Sequence, residues 1–234
     1  MSGIIGRVMT ANDADVNGIR LAYGTTGDQA APPVVLLHGR GFDHTDWAAV
    51  AGSLAGSWRV VAPDLRGHGR SEWPGSYRLD AMRDDVIALL DGLGTSPVSL
   101  IGHSMGGLVA CLIAQERPGL VRRLILEDVP APWPADVQVP DRPAGALPYD
   151  WEMVEQTTLQ RRDPDPAWLD GLATITSPAL ALAGGAESHI PQADVSELAA
   201  RIPGAMLVTV GGGHEIHRNR PAEFLAAVTG FLQE

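Results

Sequence analysis

Ser104 lies within Gly102-His103-Ser104-Met105-Gly106, in which a glycine stands two positions before the serine and another stands two positions after it. A serine hydroxyl becomes a useful nucleophile when a base takes its proton. The pentapeptide follows the apolar residues 98–101, which are typical of a buried strand, and it precedes a helical pattern. Glycine allows a sharp turn between the two, because a Cβ atom would clash there. The pattern predicts a nucleophilic Ser104 at a strand end, against the alternative of a plain glycine-rich turn.

His214 is the histidine best placed to serve as the base. It follows a predicted strand, residues 205–210, and the glycines 211–213. A loop at that position reaches the same sheet edge as Ser104. His217 is the rival base, and the two histidines together suggest a metal pair. A spacing of three, with no cysteine and no clear third ligand, argues against a metal. We therefore predict His214 as the base, with no metal and no organic cofactor.

Two backbone N–H groups are needed to stabilise the oxyanion that forms when a serine attacks a carbonyl group. Met105 supplies one, because its N–H opens the predicted helix after the turn. The second is expected from the loop after the apolar residues 34–37, where we select Arg40, with Gly41 as the alternative. These amides complete a site suited to acyl transfer.

Charge and composition exclude several classes of protein. The 234 residues carry a formal net charge of −11, which repels nucleic acids and anionic membrane surfaces. The single cysteine, Cys111, forms no internal disulfide, and the first 30 residues lack a signal-peptide pattern. No apolar run reaches the length of a membrane span. We expect one domain, residues 1–234, in the cytoplasm, acting on a small molecule without a nucleic-acid or membrane partner. The oligomeric state stays open.

The elements that must position these residues alternate between strands and helices. Asn17-Gly18 predicts a hairpin between strands 7–16 and 19–24. Further strands are predicted at residues 34–38, 58–64, 98–102, 121–128, 179–184 and 205–210. Helices are predicted at residues 45–55, 79–93, 105–116, 193–201 and 221–232. Continuous apolar strands between amphipathic helices predict an α/β fold with a mostly parallel sheet covered on both faces.

One segment, approximately residues 129–177, breaks the alternation. It is rich in proline, has no strand pattern, and holds Trp133, Trp151 and Trp168, three of the six tryptophans. Long connections in compact domains are usually functional. We therefore predict a short lid insertion in which Trp133, Trp151 and Met153 contact a substrate. The alternative is that these side chains pack against the sheet edge.

Taken together, the motifs resemble those of the α/β-hydrolase fold superfamily, in its single-domain serine esterase and C–C hydrolase-like branch. The resemblance covers nearly the whole chain. It rests on His38-Gly39 with Trp47, the segment 63–71, the segment 102–107, and Gly213-His214 followed by Pro221 and Phe224. It implies an eight-stranded sheet, Ser104 as nucleophile and His214 as base. It also implies structural roles for Asp64, Arg66 and His68.

The acid of the triad departs from the family pattern. The family usually has an aspartate in the loop after the seventh strand, and this chain has Ser188 there, with Glu187 one residue earlier. The resemblance to haloalkane dehalogenases and certain lipases offers another place, the end of the sixth strand. Asp128 aligns best there, next to Glu127. We predict Asp128 as the acid, with Glu187 and then Glu127 as alternatives, and no acid at all as the last one.

The expected function is hydrolysis of a carboxylic ester or related acyl bond, of EC 3.1.1 type, in a small hydrophobic substrate. The route is an acyl-enzyme on Ser104. C–C bond hydrolysis and perhydrolysis are alternatives on the same fold. A non-catalytic ligand-binding protein is a further alternative, which rests on Ser188 in the usual place of the acid.

Overall fold

Eight strands form one sheet among residues 8–233, which are the residues that this computed structural model describes. They are β1 (Thr10–Val16), β2 (Ile19–Thr26), β3 (Pro33–Leu37), β4 (Arg59–Pro63), β5 (Val98–His103), β6 (Val121–Glu127), β7 (Ala179–Ala183) and β8 (Met206–Thr209). Their order across the sheet is β1-β2-β4-β3-β5-β6-β7-β8. The β1–β2 and β2–β4 pairs are antiparallel and the remaining pairs are parallel. The predicted α/β fold with a mostly parallel sheet is confirmed.

Helices cover both faces of this sheet. They are α1 (Ala48–Leu54), α2 (Leu79–Gly92), α3 (Met105–Glu116), α4 (Trp151–Arg162), α5 (Pro166–Asp170), α6 (Gln192–Arg201), α7 (Ile216–Asn219) and α8 (Pro221–Gln233). Short 3-10 turns lie at His44–Trp47, Pro118–Leu120, Gly171–Thr174 and Gly185–Glu187. Buried side chains of α2 and α3 share one core cluster, and those of α1 and α8 share another. None of the described helices is both long and apolar enough to cross a membrane.

The strand β3 shows why the central strands are apolar throughout. Val35 and Leu37 belong to the core on the side of α2 and α3. Val34 and Leu36 belong to the core on the side of α1 and α8. Because successive side chains of a strand point to opposite faces, a strand covered by helices on both faces needs apolar residues at every position.

The predicted element boundaries are close to those of the structure. Asn17 and Gly18 have φ of 48° and 80°, as a tight hairpin turn requires, and β1 begins at Thr10. Arg7, the predicted first residue of that strand, lies outside the described residues. The predicted helix 45–55 is a 3-10 turn, His44–Trp47, followed by α1.

Two helices, α4 and α5, occur in the segment 129–177, where the sequence analysis named none. Asp150 caps α4 by accepting a hydrogen bond from the Glu152 N–H at 3.1 Å. Asp165 caps α5 in the same way through the Ala167 N–H, and Pro166 is the first residue of that helix. The proline-rich flanks therefore delimit short helices instead of excluding them.

The carboxyl ends of the parallel strands bring the candidate residues to one edge of the sheet. Ser104 follows β5, Asp128 follows β6, Gly184 follows β7, and the loop that leads to His214 follows β8. In the pairing of β5 with β6, His103 lies opposite Glu127. The residues that come next on each strand, Ser104 and Asp128, are therefore neighbours at this edge.

Candidate active site

Ser104 adopts a backbone conformation that residues other than glycine rarely take. Its φ is 51° and its ψ is −117°, at the junction of β5 and α3. A Cβ on Gly102 would lie 2.6 Å from the carbonyl oxygen of Gly106, and a Cβ on Gly106 would overlap the Leu37 carbonyl oxygen. The glycines on either side of the serine are thus required by close backbone approach. The turn presents Ser104 at the start of α3, facing a cavity.

Asp128 and His214 are in direct contact. Nδ1 of His214 lies 2.8 Å from Oδ2 of Asp128, across 86 residues of chain. Asp128 is fully buried, and its φ of 48° turns the chain immediately after β6. A carboxylate on Nδ1 fixes the ring so that Nε2 is free to accept a proton. The geometry allows Asp128 to orient the His214 ring and to stabilise a proton on it.

Several hydrogen bonds hold the Asp128 carboxylate. Its Oδ1 accepts from the Gly184 N–H at 2.9 Å and from Nε2 of Gln192 at 3.1 Å. Its Oδ2 accepts from the hydroxyl of Ser188 as well as from His214. Burial alone would raise the pKa of Asp128, but the hydrogen bonds from His214, Ser188, Gly184 and Gln192 outweigh it and lower that pKa. The group is therefore a carboxylate at neutral pH.

The alternative acids serve other partners. Oε2 of Glu187 accepts the Gly212 N–H at 2.7 Å, which ties the glycine loop to the turn after β7. Glu127 binds His217, with its Oε2 2.8 Å from the ring Nδ1. Of the three carboxylates named from the sequence, the structure brings Asp128 to His214. Ser188, which occupies the usual place of the acid, donates to Asp128 instead.

Ser104 and His214 line the same cavity. Within residues 8–233 no hydrogen bond joins the Ser104 hydroxyl to His214. Such contacts commonly tighten only when substrate is bound. The His214 ring packs against two other histidines, with ring centroids 4.6 Å from His103 and 4.4 Å from His189. His189 was not predicted as a site residue, although it directly follows Glu187 and Ser188, which the sequence offers as candidates near the acid position.

His103 positions the backbone at His214. Its Nε2 lies 3.0 Å from the His214 carbonyl oxygen, so Nε2 carries a proton and donates it. Burial, helped by the neighbouring His214 and His217 and opposed by the charge of Glu127, lowers the pKa of His103 to about 4. A neutral His103 therefore serves as a hydrogen-bond donor to the loop that carries His214.

The two amides predicted for the oxyanion both border the cavity. Arg40 and Met105 line it together with Ser104. Within the described part of the chain, neither backbone N–H donates a hydrogen bond. Met105 is the first residue of α3, so its N–H has no partner inside the helix. Both donors are available to a carbonyl oxygen of a substrate.

The cavity has a volume of about 300 Å³ and is bordered on one side by the segment 129–177. Trp133 lines it, but Trp151 and Met153 do not. Met153 is fully buried in the core beside α2 and α3, and Trp151 packs against the same core. The α4 residues that line the cavity are instead Thr157, Gln160 and Arg161. Trp151 and Met153 therefore follow the alternative interpretation, in which these side chains pack against the protein core.

His217 lies in a buried charge cluster behind the site. Its Nδ1 contacts Glu127, and its Nε2 lies 3.2 Å from Oδ1 of Asp46. Although burial lowers the pKa of His217, the hydrogen bonds that its ring donates to Asp46 and Glu127 raise that pKa to about 9. His217 is therefore a cation at neutral pH. His103, Glu127 and His217 are close enough to hold a metal ion, but their donor atoms hydrogen bond to protein groups, except for Nδ1 of His103.

The segment after β4 stabilises the loops around the site. Nε and Nη2 of Arg66 bind Asp85 of α2 at 2.6 and 2.7 Å. The Leu65 N–H donates to Nε2 of His38 at 3.0 Å, which ties this segment to the loop after β3. Asp64 binds the ring and the backbone of His44. These contacts match the structural roles expected for Asp64 and Arg66.

A family model described as the alpha/beta hydrolase fold matches residues 32–165. The chain belongs to this family. An sn-1-specific diacylglycerol lipase of Mus musculus is 28% identical over 94% of this chain and 87% of its own. This α/β hydrolase is also similar to an enol-lactonase from Burkholderia xenovorans LB400, with a TM-score of 0.82, 26% identity, and 95% and 100% of the two chains covered.

The structure is also similar to that of a thermophilic esterase from Thermogutta terrifontis, with a TM-score of 0.80, 26% identity, and 96% of this chain and 98% of the esterase covered. The α/β hydrolase described here thus has lipase, lactonase and esterase relatives that match most of its length. The predicted membership of the family is confirmed.

Proposed function

We propose that this α/β hydrolase is a serine hydrolase that cleaves a carboxylic ester or lactone of a small molecule. The observation that carries the proposal is the contact of Asp128 with His214, 2.8 Å long, beside a cavity that His214 shares with Ser104. The relatives named above as lipase, lactonase and esterase support an ester bond as the target. Residues 129–177 form the lid in this proposal.

Each residue has a defined part in the reaction. Oγ of Ser104 attacks the acyl carbon while Nε2 of His214 takes the hydroxyl proton. The oxyanion accepts hydrogen bonds from the amides of Arg40 and Met105. His214 then gives the proton to the alcohol oxygen, which leaves. Water attacks the acyl group on Ser104, again losing a proton to His214, and the acid is released as Ser104 regains its proton. Asp128 stabilises the imidazolium in both halves.

The site also bears on the alternative of a non-catalytic binding protein. That alternative rests on Ser188 in the usual place of the acid. Ser188 donates to Asp128, so it supports a carboxylate supplied from β6. A carboxylate whose pKa is shifted by specific partners, next to a histidine that lines a cavity, is typical of catalytic sites and favours an enzyme over a binding protein.

A fluorophosphonate probe tests the proposal at its central residue. We expect covalent labelling of the folded protein at Ser104, located by mass spectrometry, and no labelling of the Ser104→Ala variant. Folded wild-type protein that stays unlabelled would overturn the activated serine. A panel of p-nitrophenyl esters of rising chain length, run beside a β-diketone, then distinguishes ester hydrolysis from C–C cleavage. Adding hydrogen peroxide to the ester assay detects perhydrolysis.

A further inference from the structure

Two arginine side chains approach each other at one end of the active-site cavity. Arg40 lies in the loop after β3, and Arg161 lies in the last turn of α4. Both line the cavity that contains Ser104, and both line the groove that continues from it. Nη1 of Arg40 donates to the hydroxyl of Thr158 at 2.8 Å, one turn before Arg161 on the same helix. The cavity is therefore lined by one cation from the loop after β3, Arg40, and by a second from the segment 129–177, Arg161.

Neither arginine has an acidic partner within salt-bridge distance among residues 8–233. Asp194 exerts a favourable electrostatic effect on Arg161 but makes no ion pair with it. The next residue, Arg162, has a different role, because its Nη2 donates to the Val137 carbonyl at 2.9 Å. Unpaired cations are notable in a chain with 28 acidic and 17 basic residues. Their charges are available to a ligand.

The two guanidinium groups also affect each other and their surroundings. Burial and the neighbouring Arg161 lower the pKa of Arg40. Burial and His214 lower the pKa of His189, and Arg161 and Arg40 act in the same direction. Like charges repel, and an anion placed between them relieves the repulsion. Both arginines line the same cavity as Ser104 and His214, so one small molecule can contact the cations and the base together.

The remaining walls are mainly apolar and hold little negative charge. Leu108, Trp133 and Trp168 line the cavity beside Ser104. Glu215 is the acidic residue among the described lining residues, and its Oε2 is already bound by Nη1 of Arg218 at 3.2 Å. The cavity therefore combines a nucleophile, an apolar wall and a cationic end.

We infer that the substrates are esters or lactones that carry a carboxylate group, bound by the guanidinium groups of Arg40 and Arg161 while Ser104 attacks the acyl carbon. This inference rests on the proposed serine hydrolase function and deepens it by naming the substrate class. Guanidinium groups suit a carboxylate, because their N–H donors form charge-assisted hydrogen bonds with its two oxygens. The net charge of −11 repels anions at long range, so specific recognition of an anion needs cations inside the site.

Paired substrates test the inference. Mono-p-nitrophenyl glutarate and p-nitrophenyl pentanoate have acyl chains of equal length and differ in the terminal carboxylate. 3-Acetoxybenzoate and phenyl acetate make the same comparison with the carboxylate on the alcohol side. We expect the wild type to have the higher kcat/KM for the anionic member of at least one pair. We expect Arg161→Met to reduce that anionic-to-neutral ratio on the order of 10- to 100-fold, as for loss of a hydrogen bond between charged groups.

Arg122→Met is the matched control. Arg122 is exposed near the start of β6, at the end of that strand away from Asp128, so the variant changes the net charge equally without touching the cavity. Its anionic-to-neutral ratio is expected to equal that of the wild type. Arg161→Lys, which keeps the charge, is expected to recover part of the lost ratio. Equal ratios in the wild type and Arg161→Met for both pairs would overturn the inference.

A binding measurement separates failure of this inference from failure of the proposed function. If the wild type hydrolyses none of the four esters, the ester hydrolase proposal fails, and the anion site is then tested by calorimetry on Ser104→Ala. The probes are N-phenylglutaramate and its neutral counterpart N-phenylpentanamide. We expect tighter binding of the anionic amide, and loss of that difference when Arg161→Met is added. Equal affinities for the two amides would refute the anion site itself.

Discussion

Glu127 holds His217 through both the backbone N–H and the ring of the histidine. Its Oε1 accepts the backbone N–H of His217 at 2.7 Å, and its Oε2 lies 2.8 Å from the ring Nδ1. The next residue, Asp128, holds His214 in turn. Two successive carboxylates at the end of β6 therefore fix two histidines three positions apart, one bordering the cavity and one buried.

This arrangement separates the effects of removing the two histidines. His214→Ala is expected to reduce turnover on the order of 10⁶-fold, as for loss of a catalytic base. His217→Ala leaves Glu127 buried without its cation and leaves Asp46 with Arg218 alone, which costs about 3–5 kcal/mol of unfolding free energy. Urea unfolding and ester turnover measured on both variants check this. If folded His217→Ala lost as much turnover as His214→Ala, His214 would lose its assignment as the base.

The same cation predicts a pH dependence of stability. Burial opposes the charge of His217, but the hydrogen bonds that its ring donates to Asp46 and Glu127 raise its pKa from 6.5 to about 9. A pKa raised in the folded state gives stabilisation that is complete below pH 6.5 and is lost as the pH rises through about 9. Wild-type unfolding free energy should therefore fall across this range, and more steeply than in His217→Gln. A shallower fall in the wild type would contradict the charged His217.

Asp128→Asn is expected to lower turnover on the order of 10³–10⁴-fold, because an amide no longer selects the productive form of His214 or stabilises its imidazolium. Glu187→Gln is the matched control, since a glutamine oxygen still accepts the Gly212 N–H that Glu187 binds. Its turnover should stay near that of the wild type. Steady-state kinetics on both folded variants decide the point. The opposite pattern would transfer the acid to Glu187.

Gly102→Ala is expected to destabilise the protein by about 1–3 kcal/mol, as for other forced overpacking. The new Cβ would lie 2.6 Å from both the Gly106 oxygen and the Gly107 Cα. Gly119→Ala provides the comparison, because nothing lies within 4 Å of its Cβ position. Thermal unfolding should show a lower midpoint for the first variant and little change for the second. Equal midpoints would mean that the turn at Ser104 relaxes freely.

The fold follows closely from the sequence because its signals are local. The apolar run of β3 and the glycines around Ser104 each reflect constraints within a few residues of chain. The contact of Asp128 with His214 is different, because 86 residues separate the two. Sequence order offered Glu187 as an alternative acid, and only the packing of the loops shows that its carboxylate turns to Gly212.

The lining of the cavity was the least predictable feature, because it depends on how far along α4 each residue lies. The tryptophan and methionine near the start of α4 were chosen for residue type. With Asp150 as the cap, Met153 and Val154 in the first turn pack into the core. Gln160 and Arg161 lie three and four residues after Thr157, so the three residues continue the same face of the helix, and there it lines the cavity that contains Ser104.

The hydrogen bond from the Ser104 N–H to the Glu127 carbonyl, 3.1 Å long, has a consequence for how this site can change. It fixes the spacing of Ser104 and Asp128 by strand pairing, so that spacing is as rigid as the sheet itself. His214 instead follows three glycines, residues 211–213, all with positive φ. Changes in the length of that loop can therefore retune the catalytic geometry without separating the central strands, whereas side chains at its three glycines would be strained by the positive φ.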